Sequence, residues 1–283
     1  MRFMTFVSPT GESFGLTDGR RIVDLGIRTG LCLAGAIRRD ELASLGQRFG
    51  NAPADYIVDE VTFLPVIPRP GKIICVGLNY VEHRREGGHA ETAAAPPLFI
   101  RYPQSQVGHL QPMVIPRESD AFDFEAEIAV VIGTAGRRIA RADAMSHVAG
   151  ISAYNDGSVR DWQLATNQWT PGKNFPATGG FGPWLVTPDE TSLDRSLRLV
   201  CRLNGETMQD ATTDLMMFDT AELISHVSTF CTLEPGDVIV TGTPGGVGHR
   251  REPKLYMKHG DIVEIEVEGV GTLRNPVVKE AAE

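Results

Sequence analysis

The stretch that decides the fold is DFEAEIAVVI, residues 123–132. It predicts a β-strand, and because residues i and i+2 of a strand face the same side, Glu125 and Glu127 project together, with Asp123 able to join them. On its own, E-x-E is typical of a solvated polar face at a sheet edge. The run downstream is apolar on both faces, however, and this indicates a strand that is covered on both sides.

Carboxylates that share a buried position repel each other. Two unit charges 4 Å apart interact by about 4 kcal/mol at an effective dielectric near 20, so such a pair must take up protons or bind a cation. A third carboxylate, Asp156, follows the apolar run GISAY at a predicted strand-to-helix junction. Three oxygen ligands without cysteine or histidine at metal spacing favour Mg²⁺ or Mn²⁺ over zinc, and Ca²⁺ would want more protein ligands.

Short apolar or alternating runs, separated by Gly and Pro turns, continue on both sides of this stretch. They predict strands in KIICVG, PLFIR, EIAVVIG, GISAYN, RLVCRL, DVIVTG and DIVEIEV. Helices are predicted over residues 158–168 and over residues 219–231, the latter with Asp219 as N-cap and an apolar face that includes Phe230. Because strands predominate without βαβ alternation, we expect a β-rich α+β fold with a large mixed sheet system, and neither a doubly wound fold nor a TIM barrel.

Residues 1–68 predict a small N-terminal domain ahead of a larger domain, residues 69–283. Short strands are expected at residues 2–7 and 21–25, around the turn-rich SPTGES and TDGR, and residues 33–49 have helical spacing. The segment VTFLPVIPRPGK that follows carries three prolines within six residues. It predicts a stiff, extended linker between the two domains.

The composition excludes several classes of function. The 283 residues carry 27 Lys and Arg against 36 Asp and Glu, a formal charge of −9, which argues against nucleic-acid binding and against docking on anionic membranes. No apolar run reaches the ~20 residues of a membrane helix, and the first residues lack a secretory signal pattern. Four scattered cysteines without C-x-x-C are typical of buried thiols in a reducing compartment, so we expect a cytoplasmic protein.

Two short motifs suggest other enzyme classes and fail on their context. Residues 11–15, GESFG, match G-x-S-x-G, but a nucleophile elbow requires a strand, a sharp turn and a helix, and the turn LTDG follows here. The run TGTPGGVG lacks the lysine and Ser/Thr of a P-loop. We expect neither a serine hydrolase nor a nucleotide-phosphate site.

His83 and Glu86 follow the predicted strand KIICVG and are neighbours if that segment is one helical turn. The pair is either a surface ion pair or a catalytic dyad. A carboxylate that fixes one imidazole nitrogen leaves the other free to take a proton, and such help is typically worth about 10²–10⁴ in rate. The flexible GGHAETAAAPP follows, so residues 82–95, with His89 among them, predict a lid that orders on ligand binding.

Two loops rich in Gly and Pro supply further candidate groups. Lys173, in PGKN, is either a solvated surface lysine or a cation that stabilises an enolate or a carboxylate. Residues 241–246, TGTPGG, are either a simple turn or a loop that presents backbone N–H groups and the Thr243 hydroxyl to an anion.

Together these stretches resemble the fumarylacetoacetate hydrolase family. The matching segments stand in family order from residue 72 to residue 277: KIICVGLNYxxHxxE, PLFIR, DFEAEIAVVIG, YNDGSVRDWQ, GKNF, LxPGDVIxTGTPGGVG and GDIVEIEVxGVGTLxN. Members often have Lys where Arg101 stands, and GKSFDTF where this chain has GKNFPAT. The altered loop bears on the substrate more than on the metal.

The resemblance implies a mixed β-sandwich roll with a smaller N-terminal domain, usually dimeric, and one Mg²⁺ or Mn²⁺ per subunit. The site residues that it implies are Glu125, Glu127 and Asp156 for the metal, His83, Glu86 and Lys173 for catalysis, and Gln163, Thr243, Arg101 and Tyr80 for the substrate.

This set of residues leaves three functions open. The first is hydrolysis of a C–C bond in a small 1,3-diketo acid such as an acylpyruvate or fumarylpyruvate: Glu86 orients His83, His83 activates water, and the metal ion and Lys173 stabilise the leaving enolate. The second is decarboxylation, dehydration or isomerisation of a metal-chelated 2-oxo acid. The third, a non-catalytic metal-binding protein, would be expected to have lost the base or a ligand, and this chain keeps both.

Overall fold

The computed structural model describes residues 1–90, 92–191 and 193–281. The strands in these residues are β1 Arg2–Ser8, β2 Gly11–Thr17, β3 Arg21–Asp24, β4 Tyr56–Ile57, β5 Thr62–Phe63, β6 Ile73–Val76, β7 Leu98–Ile100, β8 Gln106–Val107, β9 Met113–Ile115, β10 Phe122–Asp123, β11 Ala126–Ile132, β12 Val148–Asn155, β13 Ser158–Val159, β14 Gly179–Val186, β15 Arg198–Leu203, β16 Glu206–Thr212, β17 Val238–Val240, β18 Ile262–Val267 and β19 Gly271–Lys279.

Helices are fewer than strands among the described residues. The α-helices are α1 Leu25–Thr29, α2 Leu33–Arg38, α3 Leu42–Phe49, α4 Val81–Glu86, α5 Arg160–Gln163, α6 Thr170–Lys173 and α7 Thr220–Phe230. Single 3₁₀ segments are Val58–Glu60, Pro103–Ser105, Arg141–His147, Thr213–Leu215 and Gly248–Arg250. Among the residues described, no helix combines the length and the apolar character needed to cross a membrane.

Two large sheets make up the fold. The larger one has twelve strands in the order β4-β3-β2-β1-β14-β12-β11-β17-β6-β7, with β5 beside β1 and β8 beside β14. The smaller one has the order β16-β15-β18-β19-β9, and β10 pairs with β13 separately. Both parallel and antiparallel neighbours occur. The predicted β-rich α+β class with a mixed sheet system is confirmed.

Strand β11 is buried along its whole length, as its apolar run predicts. Ile128, Val130 and Ile132 join a core cluster shared with apolar residues of the five-stranded sheet and of α7. Ala129 and Val131, on the other face, belong to a second cluster with apolar residues of α2 and α3. The two sheets therefore form a sandwich around the first cluster, and the N-terminal helices cover the outer face of the larger sheet.

The strand order brings four segments of the chain to one edge of the larger sheet. Strand β11 runs antiparallel to β12 and β17, and β17 runs parallel to β6. The beginning of β11 therefore lies beside the ends of the other three strands. Glu127 at the start of β11, Asp156 after β12, Thr241 after β17 and Gly77 after β6 meet at this edge.

The seven predicted strands of the larger region are all present as β6, β7, β11, β12, β15, β17 and β18. The strand expected across residues 123–132 is wrong in one respect, because it is interrupted at Phe124 and Glu125. Asp123 pairs with Ser158 in the separate two-stranded ribbon. The chain thus changes sheets between Asp123 and Ala126.

The two predicted helices of this region fare differently. Residues 219–231 are confirmed as α7, capped by Asp219, whose carboxylate accepts the Glu222 N–H; Phe230, however, is 58% exposed and does not share the buried face. The helix expected over residues 158–168 is wrong. Its start is strand β13, only α5 is helical, and Gly172 of α6 folds back so closely that a Cβ there would lie 2.3 Å from the backbone N of Gln163.

The N-terminal region adds strands to the larger sheet through the pairing of β1 with β14. The motif GESFG lies in strand β2, where the Ser13 Oγ donates a hydrogen bond to Asp24, so the rejected nucleophile elbow is indeed absent. Residues 33–49 are two helices because Asp40, between them, takes a left-handed conformation with φ 55°. The segment over residues 61–72 buries Val66 and Ile67 and is packed against the fold. The domain division at residue 68 stays a prediction.

Candidate active site

Three carboxylates converge at the sheet edge described above. Ligand oxygens of Glu125, Glu127 and Asp156 lie within 4.8 Å of one another, and all three residues are buried. Glu127 is the second residue of strand β11, Glu125 lies in the break between β10 and β11, and Asp156 directly follows β12. Strands β11 and β12 pair with Ala126 opposite Asn155. Glu125 and Asp156, the next residues on the two chains, are therefore also opposite each other, and the Asp156 N–H donates to the Glu125 carbonyl oxygen at 2.9 Å.

Lys173 lies between two of these carboxylates. Its Nζ donates to Glu125 Oε2 and to Asp156 Oδ2, each at 2.6 Å, and stands 4.9 Å from the ring centre of Phe99. Burial lowers the pKa of Lys173, but the Asp156 and Glu125 charges outweigh burial and raise it. The lysine is therefore a fixed, buried cation, and the reading as a solvated surface lysine is wrong.

Two buried arginines complete the ionic cluster. Arg101 donates to Asp156 Oδ1 at 2.6 Å and to the Thr178 hydroxyl at 2.8 Å. Arg160 lies 2.7 Å from both Glu125 Oε1 and Asp123 Oδ2. Burial raises the pKa of Glu125, yet the charges of Lys173 and Arg160 outweigh it and hold that pKa below its usual range.

Asp123 does not join the metal-ligand group, because the sheet change turns it toward another loop. It accepts the backbone N–H groups of Gly248 and His249, each at 2.9 Å, as well as the Arg160 guanidinium. Asp123 therefore holds Arg160 and the 248–250 turn in place.

The charges of this cluster are unequal. Four buried carboxylates, Asp123, Glu125, Glu127 and Asp156, face three buried cations, Arg101, Arg160 and Lys173. Glu127 has no ion pair among the described residues, and its Oε2 accepts only the Gly242 N–H, at 2.6 Å. Burial raises the pKa of Glu127 well above its usual range, and the negative charges of Asp156 and Glu125 raise it further.

A divalent ion fits this donor set. The three converging carboxylates match the all-oxygen ligand preference of Mg²⁺ and Mn²⁺. One of them, Glu127, forms no ion pair among the described residues and so has a negative charge left for the metal ion. Glu125, Glu127 and Asp156 would hold the ion, as predicted from the sequence.

The predicted histidine–glutamate pair lies on one helical turn, in α4. His83 Nδ1 is 3.6 Å from Glu86 Oε2, longer than a hydrogen bond, and both buried atoms have no hydrogen-bond partner in the part of the chain that the structure describes. Burial raises the pKa of Glu86, but nearby His83 and the N–H of Gly246 outweigh burial and lower it. His83 is buried and lines the cavity that Glu125 and Glu127 also line, with Glu86 behind it, so the pair is not a surface ion pair.

The loop that follows β17 donates its backbone N–H groups to carboxylates of the protein itself. Gly242 donates to Glu127 Oε2 at 2.6 Å, and Gly246 donates to Glu86 Oε1 at 2.8 Å. The Thr243 hydroxyl accepts from Gln209 Nε2 at 2.8 Å. The predicted anion-presenting loop thus connects the triad to the His83–Glu86 pair.

These groups surround one cavity of about 410 Å³. The predicted residues in its wall are His83, Glu125, Glu127, Gln163, Lys173 and Thr243, and further wall residues include His89, Arg160, Trp169, His249 and Arg250. Gln163 accepts from Arg160 Nη1 at 2.8 Å. Arg101 and Tyr80 lie outside the wall. Arg101 donates to Asp156, and the buried Tyr80 hydroxyl has no hydrogen-bond partner among the residues that the structure describes. Their substrate contacts stay predictions that these positions do not support.

The segment predicted as a lid covers one side of the cavity. Arg84 donates to the carbonyl oxygen of Ala90 at 2.6 Å, which closes the turn after α4, and Gly88 takes a positive φ of 71° there. The ring of His89 lies against Gly87. Glu91, within the predicted 82–95 lid, lies outside the described residues.

Sequence reasoning missed the contacts that Arg160 and Asp123 make at this site. Arg160 stands in the quoted motif SVRDWQ, and its cationic side chain one turn before Gln163 was the available signal. No local pattern indicates that Asp123 anchors a turn 125 residues away.

Comparison with known proteins agrees with this geometry. The family model for the fumarylacetoacetate (FAA) hydrolase C-terminal domain matches residues 72–278. The chain belongs to this family. The Bos taurus protein named oxaloacetate tautomerase FAHD2A, mitochondrial, is 46% identical over 221 residues, which cover 77% of this chain and 70% of the relative.

Solved structures of the family superpose over nearly the whole chain. The fumarylacetoacetate hydrolase from psychrophilic Exiguobacterium antarcticum has a TM-score of 0.85 at 33% identity, covering 99% of this chain and 100% of its own. The maleylpyruvate hydrolase from Sphingobium sp. SYK-6, in complex with manganese (II) ion and pyruvate, has a TM-score of 0.84 at 26% identity, with the same coverage. The fumarylacetoacetate hydrolase family thus includes both tautomerases and hydrolases, and an enzyme that acts on a small acid with a divalent metal ion is consistent with the site.

Proposed function

We propose that this protein is a Mg²⁺- or Mn²⁺-dependent tautomerase that interconverts the keto and enol forms of a small 2-oxo acid, with oxaloacetate as the first candidate. One observation carries the proposal: His83, a base backed by Glu86, lines the same cavity as Glu125, Glu127 and Lys173. A proton-transfer group thus faces a site for cations, which is what enolisation beside a carbonyl requires. The name of the 46% identical bovine relative supports this reaction.

The metal ion would be held by Glu125, Glu127 and Asp156. When bound, it supplies a Lewis acid that polarises the 2-oxo group and favours the charge that develops on its oxygen. Among the described residues, Glu127 is the carboxylate of the three that forms no ion pair with a protein cation, so its negative charge is the one most available to the ion.

The side chains of the protein perform the proton transfer. His83 removes a proton from C3 of the keto acid, the electron pair of that C–H bond forms the C2–C3 double bond, and the π pair of the C2 carbonyl moves onto its oxygen. The protonated His83 then gives the proton to this oxygen, which completes the enol and restores the neutral base. Glu86, whose Oε2 lies 3.6 Å from His83 Nδ1, orients the imidazole for this transfer. Lys173 provides a fixed positive charge beside Glu125 and Asp156, and Gln163 and Thr243 offer polar contacts in the same wall. The reverse sequence returns the keto form.

Hydrolysis of a C–C bond in an acylpyruvate, the first function predicted from the sequence, is the second candidate. The specific support is the Sphingobium maleylpyruvate hydrolase, whose structure holds manganese (II) and pyruvate. In that reaction His83 would take a proton from water and not from carbon, so the same dyad serves both reactions.

A direct assay separates the two candidates. The enol form of oxaloacetate is followed by its ultraviolet absorbance with the purified protein, with Mn²⁺ or with excess chelator, and in parallel a panel of acylpyruvates is scored by mass spectrometry. We expect metal-dependent acceleration of the enol-to-keto conversion and no release of pyruvate from the panel. Release of pyruvate with no effect on tautomerisation would replace the proposal by the hydrolase.

Two predictions from the sequence remain to be tested. A homodimer is expected from the family resemblance. A cytoplasmic location is expected from the cysteine usage, whereas the bovine relative is named as mitochondrial.

A further inference from the structure

We propose that Arg250, at the mouth of the cavity and next to His89, binds a second carboxylate of the substrate and makes the enzyme selective for dicarboxylic 2-oxo acids. This inference rests on the proposed function for the 2-oxo acid class and adds the residue that reads the far end of the molecule. It starts from the two arginines in the cavity wall, Arg160 and Arg250.

These two arginines differ in their partners. The guanidinium of Arg160 is buried and lies within 2.7 Å of carboxylate oxygens of Asp123 and Glu125. Arg250 is exposed, and among the described residues its side chain forms no ion pair and no hydrogen bond. Glu86 is close enough for Arg250 to lower its pKa, but the Glu86 Oε1 already accepts the Gly246 N–H. A cation without a partner in the wall of a substrate cavity is available to an anionic ligand.

The backbone that carries Arg250 is fixed. The 3₁₀ turn Gly248–Arg250 is anchored by Asp123, which accepts the N–H groups of Gly248 and His249, each at 2.9 Å. Gly248 fits so tightly that a Cβ there would lie 1.8 Å from the carbonyl oxygen of Leu255. The same Asp123 holds Arg160, which contacts the metal-ligand candidate Glu125. Asp123 therefore links the turn that carries Arg250, at the mouth of the cavity, to the buried ionic cluster around Glu125, at its base.

Arg250 also keeps its positive charge at any working pH, unlike the two histidines beside it in this wall, His89 and His249. Burial, followed by Arg160, Lys254 and Arg250, lowers the pKa of His249 to about 4, and the His249 Nδ1 already pairs with the Tyr256 hydroxyl at 2.8 Å. Burial and the charges of Arg84 and Arg250 lower the pKa of His89 as well. Near neutral pH, His89 is thus a neutral donor beside a guanidinium, a pair suited to two oxygens of one carboxylate.

The test compares two ligands that differ only in the distal charge: oxaloacetate and its 4-methyl ester. Dissociation constants of both are measured by calorimetry on the Mn²⁺-loaded protein, for the wild type and for Arg250→Gln, Arg250→Lys and Arg39→Gln. Arg39 is an exposed arginine outside the cavity wall and controls for net charge. We expect the wild type to prefer the diacid by about 10- to 100-fold, since a charge-assisted hydrogen bond contributes about 1.5–3 kcal/mol.

Arg250→Gln should lose this preference while it binds the ester as the wild type does. Arg250→Lys should keep part of the preference, and Arg39→Gln should keep all of it. If Arg250→Gln retains the wild-type preference, or if the wild type binds both ligands equally, the inference is wrong and the proposed function stands. If the wild type binds neither ligand, the proposed function is wrong and the inference fails with it.

Discussion

The base and the mouth of the cavity handle charge in opposite ways. At the base, Arg101, Arg160 and Lys173 each have a carboxylate oxygen within 2.6–2.7 Å, and all three are buried. At the mouth, Arg250 has no carboxylate partner among the described residues. The buried His83, in the wall of the same cavity, lies 3.6 Å from Glu86, which is longer than a hydrogen bond.

This difference indicates which part of the site is complete before the ligand arrives. The ionic groups at the base are fixed by one another, so they can stabilise developing charge without rearranging. The groups at the mouth still have hydrogen-bonding capacity, and the substrate can supply what they lack. Variants at the base should therefore change metal binding and stability. In the rest of the cavity wall, variants of His83 should change proton transfer, and variants of Arg250 should change selectivity.

The largest effect is expected from Glu127→Gln at the base. The substitution keeps the size of the side chain and an oxygen for the Gly242 N–H, but removes the carboxylate charge that has no protein cation. A metal ion contributes several kcal/mol, and each ~1.4 kcal/mol is tenfold in rate, so we expect turnover to fall at least ~10³-fold. Mn²⁺ affinity is measured by electron paramagnetic resonance and turnover by the tautomerase assay.

Glu206→Gln, in the exposed hairpin of the five-stranded sheet, is the matched control and should leave both quantities unchanged. If Glu127→Gln binds Mn²⁺ as tightly as the wild type does, Glu127 is not a ligand. The base would then be a structural ion cluster, and the contrast with the mouth would lose its functional meaning.

A smaller effect, and a different signature, is expected from His83→Asn in the cavity wall. The substitution removes the proton acceptor but no metal ligand, so turnover should fall by about 10²–10⁴ while Mn²⁺ affinity stays at the wild-type value. His259→Asn, an exposed histidine outside the cavity wall, serves as the control. Undiminished turnover in His83→Asn would move proton transfer to another group and leave the Glu86 contact as a structural one.

Much of the fold could be predicted from the sequence because its signals are local. The continuous apolar run of β11 predicts a strand that is covered on both faces, and Asp219 predicts the start of α7 through its capping hydrogen bond. The helix predicted over residues 158–168 was wrong because its first residues pair with β10, a partner far away in sequence. Pairing of this kind overrides local helix propensity.

The convergence of Glu125, Glu127 and Asp156 could be predicted because E-x-E stands beside an apolar run that indicates burial and Asp156 follows the apolar run GISAY; that they bind a metal ion stays a prediction. The role of Asp123 could not, since it depends on a loop that returns 125 residues later. Arg250 gave no signal either, because its importance lies in the absence of a partner, and only the folded chain shows which arginines are paired.

The smallest expected effects separate the two regions by stability alone. In Asp123→Asn, the buried Arg160 loses one of its two carboxylates, so the free energy of unfolding should fall by about 3 kcal/mol. In Arg250→Gln, an exposed and unpaired charge is lost, and the change should stay within about 0.5 kcal/mol. Urea unfolding is measured in excess chelator, because a bound metal ion would add its own stabilisation to the wild type. Equal losses in the two variants would show that Arg250 is held by contacts within the protein, and a guanidinium held in this way would no longer be free for a substrate carboxylate.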